Sequence, residues 1–297
     1  MPSSDLPSTP SSSSPASFHL ADGLGYALQQ NHRSVIRLNL QHFLWRQVFG
    51  YSIHPSIPTT PTALKKVADV ACGTALWLID VAHEFPHHPS LQLDGLDIDL
   101  TQAPHSGWLP SNIHLDHWDL FTPVPQHLQE QYDLVHVRLL VLILSGLDPM
   151  PVIRRLFQLV KPGGYLQWDE LNCANLCIKK VDPSIAAPAL EEIRVGSHAD
   201  GRHDWALDLP RLLAEVGFQE VTLDHYDEPP EMVRSFNDLH LLTMEEFATR
   251  LAGQGQHKAA TRFTQLIQAG YQESVNGAAL SFPRVVVVAK RPALGDQ

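Results

Sequence analysis

The chain has 297 residues, 44% of them apolar, and its 32 acidic against 21 basic side chains give a formal charge of −11. That length and apolar content suit one elaborated α/β domain, or a domain with a cap, around a substantial core. The acidic balance gives no basic footprint for nucleic acid, and no run approaches the roughly 18 apolar residues of a membrane span. The expected partner is therefore a small molecule, with no nucleic acid and no membrane, and the expected setting is soluble.

Three cysteines, Cys72, Cys173 and Cys177, make an odd count without Cys-x-x-Cys spacing. Neither a disulfide framework nor a zinc site is implied, so a reducing, cytoplasmic compartment and buried, apolar-like roles for Cys173 and Cys177 are expected. The 17 histidines are scattered without a ligand spacing, so no metal is expected and most of them are expected at the surface.

Residues 1–19 open almost entirely on Ser, Pro, Thr and Ala, a composition expected to form a disordered tail without signal-peptide or transit-peptide character. Residues 20–64 form an N-terminal helical cap and linker. Within it, Leu24, Leu28, Val35, Leu38, Phe43 and Val48 predict a helix from Leu20 to Phe49 that stops at Gly50. From Ser34 onward this helix is apolar on more faces than one buried stripe requires, which suits a helix between two layers, a lid over a ligand, or a homodimer contact. Pro55, Pro58 and Pro61 then predict a stiff linker.

From Lys66 to Ala82 the pattern reads as strand, tight turn, helix, with Asp69, Ala71, Gly73 and Ala75 spanning the turn. Such a turn at a strand's carboxyl end lets a ligand approach the backbone and the free N–H groups of the helix. Leu91–Asp99 reads as a second strand, and Asp97 is placed where a carboxylate accepts hydrogen bonds from the ribose hydroxyls of a nucleoside. Asn112–Phe121 alternates as a third strand and Gln131–Arg138 as a fourth. A helix over Met150–Val160 runs into Lys161-Pro162-Gly163-Gly164, read as a reversal into a fifth strand at Tyr165–Glu170. Val195–Trp205, polar and glycine-punctuated, is expected to be a loop at the mouth of a substrate site. A helix over Leu209–Val216, a sixth strand over Phe218–Tyr226, helices over 231–252 and 256–275, and a last strand over Ser281–Lys290 complete the pattern.

The run Asp69-x-Ala71-x-Gly73-x-Ala75, then Asp97, Asp119 and Lys161-Pro162-Gly163-Gly164 in this order, resembles the class I S-adenosylmethionine-dependent methyltransferases. Gln167-Trp168-Asp169-Glu170 resembles in particular the fungal secondary-metabolite members that act on small molecules. The resemblance implies an α/β, Rossmann-like sheet of seven strands with the last antiparallel beside the fifth. Residues 65–170 would be the cofactor-binding core, and residues 171–297 the helical substrate cap and final strands of the same domain. Ala71 and Ala75 replace two of the family's usual glycines, so the turn is expected to hold negative φ there. By resemblance the cofactor S-adenosylmethionine would touch Asp69, Ala71, Gly73, Ala75, Asp97 and Ile98. Asp119 would bond the adenine amino group between Trp118 and Leu120, and His136, Val137 and Arg138 would lie near the methionine end.

Arg138 reads equally as a carboxylate partner or as an anchor of the next element to the sheet, and Trp118 equally as plain core packing. The implied reaction is methyl transfer to an O, N or S atom of a small, apolar metabolite, with His136, His198, His203 and Glu170 as candidate general bases. Two alternatives share the pattern: a cyclase or pericyclase that binds the cofactor without transferring its methyl, and a methyltransferase-like regulatory binding protein.

Overall fold

The computed structural model describes residues 28, 30–88, 90–198 and 201–295. The tail expected over residues 1–19 and the first part of the expected Leu20–Phe49 helix lie outside the described residues. In chain order the elements are α1 (His32–Phe49), β1 (Lys66–Val70), α2 (Leu76–Glu84), β2 (Gln92–Asp97), β3 (Ile113–His117), β4 (Tyr132–Arg138), α3 (Met150–Leu159) and β5 (Val160–Leu171). There follow β6 (Cys177–Lys180), α4 (Pro188–His198), α5 (Trp205–Val216), β7 (Gln219–Tyr226), α6 (Val233–Gly253), α7 (His257–Val275), β8 (Ala278–Ser281) and β9 (Arg284–Lys290).

Seven strands form one sheet in the order β3-β2-β1-β4-β5-β9-β7. β1 to β5 pair in parallel, and β9 lies antiparallel between β5 and β7, as the resemblance implies. Strand order reverses between β2 and β4 on either side of β1, which opens a crevice beyond the carboxyl ends of β1 and β4. Side chains alternate between two buried layers. Val135, Val137 and Trp168 pack against α3 and α5, while Leu134, Val286 and Val288 pack on the other face with Trp45 of α1 and Trp77 of α2. A third apolar cluster joins α4, α6 and α7 to a two-stranded ribbon of β6 and β8.

Several local expectations change. The described part of α1 begins at His32 because the Asn31 side chain caps it, accepting from the N–H groups of Arg33 and Ser34 at 2.9 and 3.2 Å. It ends as expected at Gly50, whose φ of 74° suits glycine. The proline-rich segment is a packed strap rather than a spacer: Ile53, Ile57 and Leu64 are buried, and the His54 N–H donates to Gln167. Lys161–Gly164 belongs to β5 instead of forming a free reversal. A Cβ on Gly164 would lie 2.9 Å from the Tyr132 carbonyl oxygen, so only glycine lets the two strands approach there.

Val195–His198 continues α4 rather than opening a loop, and β6 and α4 are elements the sequence pattern did not reveal. The last strand is split at Pro283, which has no N–H to donate: β8 pairs with β6, and β9 enters the main sheet. Cys72 and Cys173 are buried but Cys177 is exposed. Most of the described histidines are exposed, as expected, and His42, His54, His88, His136 and His203 are the buried exceptions among them. Among the described residues no helix is long and apolar enough to cross a membrane.

Candidate active site

The turn after β1 holds Ala71, Gly73 and Ala75 at φ of 56°, 52° and 56°. This corrects the expected negative φ: both alanines adopt the left-handed conformation that the usual glycines would supply without strain. The surroundings hold them there. The N–H of Ala71 donates to the Leu96 carbonyl at 2.8 Å, the Gly73 N–H donates to Asp97 Oδ2 at 2.8 Å, and the Ala75 N–H closes on the Cys72 carbonyl at 2.8 Å. Leu139, directly after β4, is also left-handed at φ 60°, with its N–H bonded to the Asp169 carbonyl. Strained residues thus gather around one crevice.

That crevice opens into a cavity of about 1090 Å³ lined by the turn, the ends of β2 to β4, α1 and the helical insertion. Asp69, Ala71, Gly73, Asp97, Ile98, Trp118, Asp119, Leu120, His136 and Arg138 all line it. Asp97 uses one oxygen for Gly73 and the other for the Asp99 N–H at 2.9 Å, leaving a lone pair on each for a ligand. Burial raises its carboxyl above the usual range, although these two N–H groups pull the other way. Asp119 accepts the Phe121 N–H on one oxygen, and the buried Trp118 indole N–H has no partner among the described residues. Leu38 of α1 lies over the turn, 3.8 Å from where a Cβ on Gly73 would stand.

Two expected cofactor contacts are absent from the lining. Val137 is fully buried and points to the α3/α5 face, because neighbouring strand residues alternate and His136 takes the cavity face. Ala75 is fully buried in the layer beneath α2, so its methyl group does not reach the cavity.

His136 sits where an imidazole is least free to act as a base. Its Nδ1 is 2.7 Å from Asp69 Oδ1 and its Nε2 is 3.0 Å from Asp169 Oδ2, and its ring stacks on Trp77 with centroids 3.9 Å apart. Burial alone would lower its pKa, but the two carboxylates more than reverse this and raise it. The protonated ring therefore donates from both nitrogens and has no lone pair for a substrate proton. Burial likewise works against ionisation of Asp169, yet Arg138 and His136 hold its carboxyl at about 2. Arg138 donates Nε and Nη2 to that carboxylate at 3.0 and 2.7 Å, and its Nη1 reaches His42 of α1 at 3.4 Å. It is thus an anchor between sheet and covering helix, already engaged with a carboxylate of the protein.

Glu170 points away from the cavity. Fully buried, it accepts from the Leu171 N–H and the Trp168 indole, and burial pushes its carboxyl up to about 7. His203 is buried at the cavity wall, whereas the side chain of His198 lies outside the described residues. Residues not foreseen complete the wall. Trp45 comes from α1; Phe236, His240, Met244 and Phe247 from α6; Arg284 from β9. Burial lowers the His240 imidazole to about 4, so the ring is neutral, and its Nε2 is 3.4 Å from Ser197 Oγ. The α6 residues recur at helical spacing, a signal of a buried face that does not by itself say what the face covers.

No family model matches the chain. Methyltransferase grgD of a Penicillium species is 38% identical over 152 residues, which cover 50% of this chain and 52% of that protein. N-methyltransferase verN of Clonostachys rogersoniana is 31% identical over 158 residues, covering 53% and 54% of the two chains. Among solved structures, an S-adenosylmethionine-dependent methyltransferase from Mesorhizobium loti aligns over 86% of this chain and 96% of its own, with a TM-score of 0.44 and 16% identity. The chain spans about half the length of the curated relatives it matches. Over that half, it is similar to fungal secondary-metabolite methyltransferases.

Proposed function

We propose that the protein transfers a methyl group from S-adenosylmethionine to an O, N or S atom of a small, largely apolar metabolite. The observation that carries this reading is the single cavity running from Asp97 and the 71–75 turn to the aromatic residues of α6. The residues present fit the cofactor. Asp97 keeps lone pairs for ribose hydroxyls, and Trp118, Leu120 and Ile98 offer apolar walls beside the second oxygen of Asp119. When bound, S-adenosylmethionine supplies a methyl group activated by its positively charged sulfur.

The chain's own part is alignment and exclusion of water. The Asp69–His136–Asp169–Arg138 chain of charges joins β1, β4 and β5 beneath the crevice and reaches α1 through His42, holding the turn and its cover in one register. His240 and His203 are the imidazoles at the cavity wall that support a proton-accepting role, in place of His136 and Glu170. The similarity to grgD and verN supports the reaction class.

Titration calorimetry with S-adenosylhomocysteine tests the cofactor half. Extract of a producing organism, incubated with the protein and cofactor carrying a labelled methyl group, tests the transfer. The expected result is one S-adenosylhomocysteine per labelled product. A product isomeric with its substrate, formed with the cofactor intact, would establish the cyclase alternative instead.

A further inference from the structure

Arg284, the first residue of β9, is 1% exposed and forms part of the cavity wall. Its Nη1 lies 3.1 Å from Glu228 Oε1. Glu228 is otherwise saturated: it accepts from Ser281 Oγ at 2.5 Å, the Phe282 N–H at 2.9 Å and Lys179 Nζ at 3.3 Å. The guanidinium is not. Among the described residues its buried Nε has no partner and its Nη1 has the Glu228 ion pair alone. Its Cζ lies over the rings of Phe236 and Trp45, 3.6 and 5.2 Å from their centroids, so both rings pack on the guanidinium. Lys179 and Arg284 set two positive charges against the single buried carboxylate of Glu228, and Asp227, the other carboxylate acting on Arg284, is exposed. A buried guanidinium with unused donors and a local positive excess is completed by an anionic oxygen.

Resting on the methyltransferase reading, we infer that Arg284 is the recognition residue for a carboxylate or phenolate oxygen on the acceptor. The acceptor's apolar body then lies against α6 and α7. Met244, Phe247 and Leu251 of α6 and Phe263 of α7 line that part of the cavity, with Arg250 of α6 among them. His240 is neutral and tilts against Phe282 at 4.4 Å, so it neither repels nor neutralises the anion. The acceptor class is an apolar, ring-bearing acid, as opposed to an amine or a sugar.

The test uses two probes of one shape, 1-naphthoate and 1-naphthalenemethanol, titrated by calorimetry into the full chain saturated with S-adenosylhomocysteine. Wild type should bind the acid more tightly, on the order of tenfold, as expected for one charge-assisted contact. Arg284→Met should remove that preference and Arg284→Lys should keep part of it. Equal binding of the two probes to wild type, tighter binding of the alcohol, or binding of neither would overturn the inference, whether or not the variants fold. Failure of S-adenosylhomocysteine itself to bind would instead sink the methyltransferase reading, so the two failures are distinguishable.

Discussion

Replacing His136 by leucine tests whether buried charges hold the crevice together. The imidazolium lies 2.7 Å from Asp69 and 3.0 Å from Asp169, and all three side chains are buried. Leucine keeps apolar contact with Trp77 but strips Asp69 of its ring partner, while Asp169 retains Arg138 and the Gln167 amide at 3.0 Å. Breaking a buried pair in this way costs about 3–5 kcal/mol. At about 2–4 °C per kcal/mol for a chain of this class, the melting temperature should fall by roughly 6–20 °C. The proton adds a second signature. The folded-state pKa of His136 is raised, so its contribution is complete below the unfolded value of about 6.5 and is lost as pH rises through the folded value. Wild type should therefore lose up to about 1.4 kcal/mol per pH unit across that window, a slope absent from His136→Leu. Calorimetric melts of both proteins from pH 6 to 9 measure it. A variant within about 1 kcal/mol of wild type at pH 6, or two parallel pH profiles, would refute the account.

Asp97→Ala should weaken S-adenosylhomocysteine binding by roughly 1.5–3 kcal/mol, as charge-assisted hydrogen bonds are lost; unchanged affinity in a folded variant would remove Asp97 from the site. Ala71→Gly should raise stability, because relief of about 1–2 kcal/mol of left-handed strain exceeds the roughly 0.4–1 kcal/mol of added unfolded-state freedom. Ala75→Gly should gain nothing, since it also loses a fully buried methyl worth about 0.8 kcal/mol, and chemical denaturation showing the reverse order would contradict the burial assignment. Arg37→Met leaves the buried Glu246 carboxylate without its partner at 2.6 Å, so the α1 amides should exchange hydrogen faster than in wild type; equal exchange would show that this pair does not seat α1.

Much of the architecture was legible because its signals are local. Gly50 ends α1, the runs at Lys66, Leu91 and Tyr132 are strands, and the helices over 231–252 and 256–275 follow from apolar spacing alone. Asp97 and the 71–75 turn were readable for the same reason, since a strand, a turn and a helix N-terminus lie within one short stretch. Alternation along Tyr132–Arg138 likewise sends His136 and Val137 to opposite faces of the sheet.

What the tertiary structure alone decided is which groups meet. His136 finds Asp69 and Asp169 across 67 and 33 residues, and Arg37 finds Glu246 across 209. A candidate base thereby becomes a doubly bonded cation, and Glu170 becomes a core acid on the far face of the sheet. Arg284 reads in sequence as an ordinary charge opening a valine strand, and becomes part of the cavity wall only because β9 inserts beside β5. Periodicity encodes which face of an element is buried, but the partner of a buried charge lies on another element, and the desolvation that sets its protonation exists only once those elements have packed.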